Sequence, residues 1–239
     1  MISDEEEQQL VRQFFGEEPG FFVEVGANHP VVGSQSWHLE QRGWQGILIE
    51  PQPELATELA KVRRAKVFAV ACSSPKTAGL RLPFFVAGAL SSLERETMAP
   101  GSEVEAVIEV DVRTVDDVLI EAGAREPIDF LSIDVEGHEI EVLRGLDVMR
   151  WRPRLILLED HVGNLDKHRF MKSLGYRLVR RTGLNGWYVP TYSSVSPGWS
   201  DSARIFRKYY LGLPFRVLRN ASRRLRQPFK DRRRARSLG

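Results

Sequence analysis

Asp134, Glu136 and His138 stand close together in "IDFLSIDVEGHEIEVLRG" (128–145), directly after an apolar run. Glu159 and Asp160 end another such run, "RLILLED" (154–160), and His161 follows them. Carboxylates and imidazoles placed at strand ends can move protons, and histidine is the ordinary base near neutral pH. Several carboxylates at one spot also repel one another unless a cation sits among them. These residues therefore carry two chemistries. Proton transfer would use His138 first, with Asp134, Glu136 and His161 beside it. A divalent cation of the Mg²⁺ class would use Asp134, Glu159 and Asp160. The competing reading pairs Glu159 and Asp160 with arginines such as Arg152 and Arg154, and leaves His138 as a plain first-turn residue.

A second set lies earlier in the chain. "GFFVEVGAN" (20–28) ends in Glu24, Gly26 and Asn28, "GILIEP" (46–51) contains Glu50, and "KVFAVACS" (66–73) contains Ala71 and Cys72. Gly26 allows a tight turn and a close backbone approach to a ligand. No G-x-G-x-x-G is present, which disfavours a dinucleotide. An acid at the position of Glu50 can accept both hydroxyls of a ribose. Alone it would read as surface charge. With Glu24 and the glycine turn it points to a ribose-bearing ligand without phosphates.

The elements that must hold these residues alternate between strand and helix. Apolar runs at 20–28, 46–51, 66–73, 128–134 and 154–160 read as buried strands. Segments 34–44, 53–65, 114–123, 138–146 and 165–175 read as helices, with Thr114 as the cap of the third. Such alternation implies a mainly parallel sheet covered on both faces, with ligands at the carboxyl ends of the strands. Segments 79–88 and 103–114 read as additional extended pieces, joined near Ser91 and Ser92. Segments 176–183 and 186–190 read as an antiparallel pair, with Asn185 in the turn between them and able to reach a site. Trp37 and Trp44 read as packing residues.

Residues 1–19 form a helical lead-in, 20–192 the main domain, 193–202 a linker and 203–239 a tail. Apolar residues make up 42% of the 239-residue chain, enough for a large core. The single cysteine and the acidic start "MISDEEEQQL" fit a reducing cytoplasm better than secretion. The net charge of +2 conceals a division: from Arg204 onward there are 13 Lys/Arg and one acid, so the body is near −10 and the tail near +12. Arginines interleaved with Phe, Tyr and Leu suit an anionic membrane surface at the inner face of the membrane, docking on the acidic body, or, least favoured, nucleic acid. Ile205, Phe206, Tyr209 and Tyr210 fall on one broad helical face.

"FFVEVGAN", "GILIEPQPEL", "VDVRTVDDVL" and "IDFLSIDVEGHEIEVLRG" together resemble the FkbM family of S-adenosylmethionine-dependent methyltransferases, over about residues 20–190. The resemblance implies an α/β fold: a Rossmann-like class I methyltransferase, with a mainly parallel seven-stranded sheet, helices on both faces, the last strand antiparallel, and here a basic C-terminal extension. It implies that Glu24, Gly26 and Asn28 line the methionine side of the cofactor, that Glu50 holds the ribose, and that Ala71–Ser73 lie near the adenine. Asp134 would stand at the junction of cofactor and acceptor, and Glu136 at the catalytic edge. The chain departs from the family pattern at His29 and Pro30, where a second glycine is common, and at Ser132, where Lys is common. The implied function is O-methylation of a hydroxyl, most readily a sugar hydroxyl of a glycan, glycolipid or glycosylated metabolite, with divalent-metal assistance as an option. The Asp134, Glu159 and Asp160 set resembles that of metal-dependent O-methyltransferases. An N-methyltransferase and a methyltransferase-fold tethering module that uses the basic tail are the other readings.

Overall fold

The computed structural model describes residues 3–95, 98 and 103–216. Ten strands occur in that region: β1 (Phe21–Val25), β2 (Gln45–Ile49), β3 (Lys66–Phe68), β4 (Ala71–Cys72), β5 (Arg81–Val86), β6 (Ala106–Arg113), β7 (Phe130–Ile133), β8 (Leu155–Glu159), β9 (Tyr176–Thr182) and β10 (Asn185–Pro190). Seven make the central sheet, in the order β3-β2-β1-β7-β8-β10-β9. Its first five strands are parallel, and β10 runs antiparallel to both β8 and β9. The order reverses between β1 and β7, where a doubly wound sheet opens a crevice at its carboxyl edge.

Strand parity sorts the core into two layers. Phe21, Val23 and Val25 of β1 share one face with Leu131, Ile133, Ile156 and Leu158. That face packs on α4 (Val115–Ala122), α5 (Glu139–Arg144), α6 (Val148–Trp151) and α7 (Asp166–Ser173) through residues such as Leu119, Val142, Trp151 and Met171. Phe22, Leu48, Phe130, Leu155 and Leu157 point the other way, towards α1 (Asp4–Phe15), α2 (Trp37–Glu40) and α3 (Pro53–Val62), through Val11, Leu39 and Leu59. Successive side chains of a strand leave it on opposite faces, so a continuously apolar strand requires helices on both. Capping boxes start two of the helices: Ser3 with Glu6 for α1, and Thr114 with Asp117 for α4.

"KVFAVACS" forms two strands rather than one. β2 ends at Ile49, so β3 has no partner beyond Phe68, and the chain crosses to pair β4 with β6. β4, β6 and β5 form a small second sheet with its own core of Ala71, Phe84, Val110 and Val112.

The C-terminal region also differs from expectation. Helix α8 (Trp199–Phe206) begins inside the stretch that composition assigns to a linker, and it continues as a π-helical turn, Arg207–Leu211. Ile205 and Tyr209 turn inward onto the core, whereas Phe206 and Tyr210 turn outward. Neighbouring residues of a helix lie about 100° apart, so two pairs spaced by four cannot share one inward face when only one side is covered. Residues 217–239, which hold most of the tail's arginines, lie outside the described residues. Among the described residues no helix is long and apolar enough to cross a membrane.

Candidate functional site

A cavity of about 620 Å³ opens at the carboxyl edge of the central sheet, over the point where strand order reverses. Its walls come from the loops after β1, β2, β3, β7 and β10's hairpin, with Phe84 of β5 and Glu7 of α1 closing the sides. Glu24, Gly26, Asn28, Glu50, Ala71, Cys72, Asp134, Glu136, His138 and Glu159 all line it, as do Ser91 and Asn185.

Register explains the convergence. Glu24 pairs with Ser132, and Ser132 with Leu157. Two residues further along each strand come Gly26, Asp134 and Glu159, one row at the sheet's edge. Asn185 pairs with Glu159 and Thr182 with Asn185, which extends the row. The strand ends crowd at Gly26, whose φ is +83°. A Cβ there would lie 1.8 Å from the Asp134 carbonyl oxygen, so the position admits only glycine without movement.

At the β1–β2 end the acids organise backbone. Glu24 accepts hydrogen bonds from the Gln35 amide (2.7 Å), the Ser34 hydroxyl (3.1 Å) and the Ser36 hydroxyl. Burial pushes its pKa up, and those bonds and Arg63 oppose the rise. Arg63 is itself buried and paired with Glu40 at 2.6 Å, while donating to the Pro30 carbonyl and to the Ser34 and Ser36 hydroxyls. It fixes the loop after β1 that carries His29 and Pro30. Within that loop His29 Nδ1 accepts from the Val31 and Val32 amides. Glu50 accepts from the Asn28 amide (2.9 Å) and the Gln52 amide (3.0 Å), and burial raises its pKa too. Burial pushes the Cys72 thiol up to about 12, so it serves as wall and not as nucleophile.

At the β7–β8 end the acids face one another. Asp134 opens onto the cavity, but the surrounding protein deprives it of bulk water. Burial first, then repulsion from Glu159, Glu136 and Glu139, raises its pKa well above the usual carboxylate range. Glu159 behaves oppositely. Burial works against its charge, but the hydrogen bond and charge of His161, with Lys167, outweigh burial and leave its pKa lowered. Asp134 is thus the partner that holds a proton. Glu136, with φ at +51°, is raised to about 7 by burial and by Glu159. Glu159 Oε1 lies 2.9 Å from His161 Nε2, and Asp134 shares a hydrogen bond with the Glu159 carboxylate. Its hydrogen bond to Glu159 raises the His161 pKa.

Three expectations need revision. Asp160 does not join Glu159. It is the next residue along an extended chain and leaves on the opposite face. There its carboxylate accepts from the Tyr209 hydroxyl (2.6 Å) and the Val162 amide (2.7 Å), with Arg181 at 3.6 Å. The ligand atoms that do converge belong to Glu136, Glu159 and His161, all within 4.8 Å of one another. His138 is not a free base: its Nδ1 lies 2.8 Å from Glu94 and its Nε2 2.9 Å from the Ser73 hydroxyl. It ties the loop after β7 to the segment near Ser91 and Ser92, and the Ser92 hydroxyl adds a bond to the Glu136 carbonyl (3.1 Å). His161 is exposed and does not line the cavity; it meets the site's edge at Glu159 and Glu136.

Sequence reasoning missed Glu7. From α1 it accepts from the Thr182 hydroxyl and from Asn185 Nδ2 (2.7 Å), inside the cavity wall. Its signal was present: Glu7 lies one turn before Val11, on the apolar stripe of α1, where an acid has no reason to be unless it is paired. It missed Glu139 and Lys167 as well, a buried carboxylate paired at 2.5 Å with a half-buried lysine that also donates to the Glu159 carbonyl.

The model of the FkbM methyltransferase domain matches residues 24–178, well over half of the chain. The chain belongs to the FkbM methyltransferase family. Its cavity is formed mostly by the matched segment, to which Ser3, Glu7 and the 182–185 hairpin add. Among solved structures, the methyltransferase FkbM of Methylobacillus flagellatus KT is 16% identical, with a TM-score of 0.46 over 72% of this chain and 43% of that one. Monomeric WbdD is 14% identical, with a TM-score of 0.44 over 78% of this chain and 39% of that one. The N-terminal domain of human METTL16, in complex with SAH, is 12% identical, with a TM-score of 0.44 over 80% of this chain and 70% of that one. The chain thus spans less than half the length of the first two. No curated protein matches it.

Proposed function

We propose that this FkbM-family domain transfers the methyl group of S-adenosylmethionine to a hydroxyl oxygen, most readily on a sugar. The observation that carries the reading is the charge of the cavity. Glu7, Glu24, Glu50, Asp134, Glu136 and Glu159 line it, and among the described residues no Lys or Arg does. A diphosphate would be repelled there. A ligand bearing a sulfonium and an ammonium, with ribose hydroxyls and no phosphate, matches both the sign and the acceptors. The bound cofactor supplies an activated methyl. Glu50 would accept the ribose hydroxyls, the 24–28 turn would hold the methionine end, and Val70–Cys72 with Phe84 would enclose the base.

The protein's remaining task is to align the acceptor and take its proton. Glu136 suits that role, since a pKa of about 7 leaves it able to receive a proton near neutrality. Glu159 and Asp134 would orient the hydroxyl, one as acceptor and one as donor. A nitrogen acceptor would need less help from a base, so this carboxylate end favours oxygen. His138 would position the loop through Glu94 and Ser73 and would not touch the reacting atoms.

A divalent cation fits with an altered ligand set. Glu136, Glu159 and His161, whose ligand atoms converge, would hold it, beside Asp134 and without Asp160. Such an ion would lower the pKa of the acceptor hydroxyl.

The test begins with calorimetry of the full chain against S-adenosylhomocysteine and NAD. Binding of the first alone is expected, and binding of NAD alone would reject the reading. Incubation with labelled S-adenosylmethionine and glycan or glycolipid extracts, followed by product mass spectrometry, then identifies the acceptor atom. Label on nitrogen in place of oxygen would overturn the hydroxyl assignment.

A further inference from the structure

The segment from Trp199 to Arg216 has two unlike sides. Its inner side is fastened to the body. Arg180 meets Asp201 at 3.3 Å, the Tyr209 hydroxyl donates to Asp160, Arg204 donates to the Arg181 carbonyl (3.3 Å), and Arg216 donates to the Val162 carbonyl (3.1 Å). Tyr209 is buried and Ile205 packs on the core. The outer side has no cover. Trp199 is 91% exposed and Phe215 76%, and Phe206, Tyr210 and Leu211 are exposed as well. The Phe206 and Tyr210 rings stack with centroids 5.5 Å apart, a preformed aromatic pair facing water.

Cations flank this apolar side. Arg204, Arg207 and Lys208 lie on the same helix and turn, and the sequence after Arg216 adds nine Lys/Arg against one acid, Asp231. The body behind them is acidic, near −10 over residues 1–203. Set against a net acidic body, the cations of this segment favour its approach to an anionic surface. Exposed Trp, Phe and Tyr settle at the headgroup level of a bilayer, Leu and Phe gain by leaving water, and arginines pair with anionic headgroups. A phosphate backbone offers Leu211 nothing in return, which favours lipid over nucleic acid.

We propose that residues 199–216 dock this domain on an anionic lipid bilayer. The docking has a direction. Lys208 Nζ lies 3.4 Å from the Gly183 carbonyl, and Arg181 donates to the Leu184 carbonyl (3.0 Å). Gly183 and Leu184 line the cavity, and Leu184 is itself exposed. The docking segment therefore borders the rim of the cavity beside Glu159 and Asn185. On the reading of that end as the acceptor site, a docked molecule would hold it close to hydroxyls carried at the membrane surface.

The experiment is cosedimentation of the full-length chain with phosphatidylcholine vesicles, with and without about 30% phosphatidylglycerol as the anionic lipid. The expected result is binding only to the anionic vesicles. Replacing Trp199, Phe206 and Tyr210 together by Ala should weaken that binding roughly tenfold or more, because the apolar contribution is lost while the cations stay. Circular dichroism and S-adenosylhomocysteine calorimetry on the same variant should match the parent, since none of the three residues lines the cavity. Failure of the parent to bind anionic vesicles overturns the proposal, as does equal binding by the triple variant. A single-stranded oligonucleotide held more tightly than the vesicles assigns the surface to nucleic acid and also overturns it. Calorimetry separates the two readings: a protein that binds S-adenosylhomocysteine but no vesicles loses the docking surface alone.

Discussion

Glu136 stores a conflict between stability and chemistry, and Glu136→Gln should separate the two. In the folded protein its pKa stands at about 7, against an ordinary 4.5, through burial and the nearby Glu159 charge. Below pH 4.5 the group is protonated folded or unfolded, and it costs nothing. Between 4.5 and about 7 the folded state keeps a proton that the unfolded state has released, so stability falls as pH rises. Above about 7 the full penalty applies. The gap between the two values sets an upper limit of roughly 3.4 kcal/mol. The side chain is partly exposed at the cavity, and screening by solvent reduces the expected penalty to about 1–2 kcal/mol. Glutamine keeps the shape and removes the charge. At pH 8 in metal-free buffer the variant should melt about 3–6 °C higher than the parent. That advantage should vanish near pH 4.5. Turnover should fall by roughly 10²–10⁴, the usual contribution of a general base, with affinity for S-adenosylhomocysteine unchanged. Equal melting temperatures at pH 8, or a difference that does not change with pH, would refute the electrostatic reasoning. Undiminished turnover would remove Glu136 as the base.

Gly26→Ala should reduce S-adenosylhomocysteine affinity at least tenfold in calorimetry, since a left-handed alanine costs about 1 kcal/mol and its Cβ meets the Asp134 carbonyl. Unchanged affinity would mean that the strand ends yield freely. Arg63→Met should cost about 3–5 kcal/mol in denaturant unfolding, because Glu40 stays buried without its partner. A loss below about 1 kcal/mol would show that the amides of Arg64 and Ala65, which also serve Glu40, suffice. Mn²⁺ added to the parent should give a bound signal in electron paramagnetic resonance that is lost in His161→Ala and kept in Asp160→Asn; the reverse pattern would restore the original ligand set.

Much of the fold was legible because strand parity and helix punctuation are local properties. "FLSI" and "LILLE" are apolar at every position, and only a strand covered on both faces tolerates that. Thr114 marked the start of α4 correctly. The division of "KVFAVACS" was not legible, since it depends on where the neighbouring β2 stops. Glu24, Gly26, Asn28 and Glu50 could be placed at one cavity because they lie at the carboxyl ends of β1 and β2, neighbours beside the reversal of order. The partners of His138 could not, because Glu94 and Ser73 are 44 and 65 residues away in the chain.

The sequence by itself determined which residues stand at the carboxyl edge of the sheet, because apolar runs end where strands end. It also determined the charge of the two regions, which is a matter of counting. Only the tertiary structure decided which face each edge residue takes and what meets it there. Glu159 and Asp160 are adjacent in the chain and alike in chemistry. One faces the cavity with Asp134 and Glu136, with His161 at its edge, and the other is sealed by Tyr209 and Arg181 on the far side. Parity at a strand's last residue is set by register with β7 and β10, and register is a property of the assembled sheet.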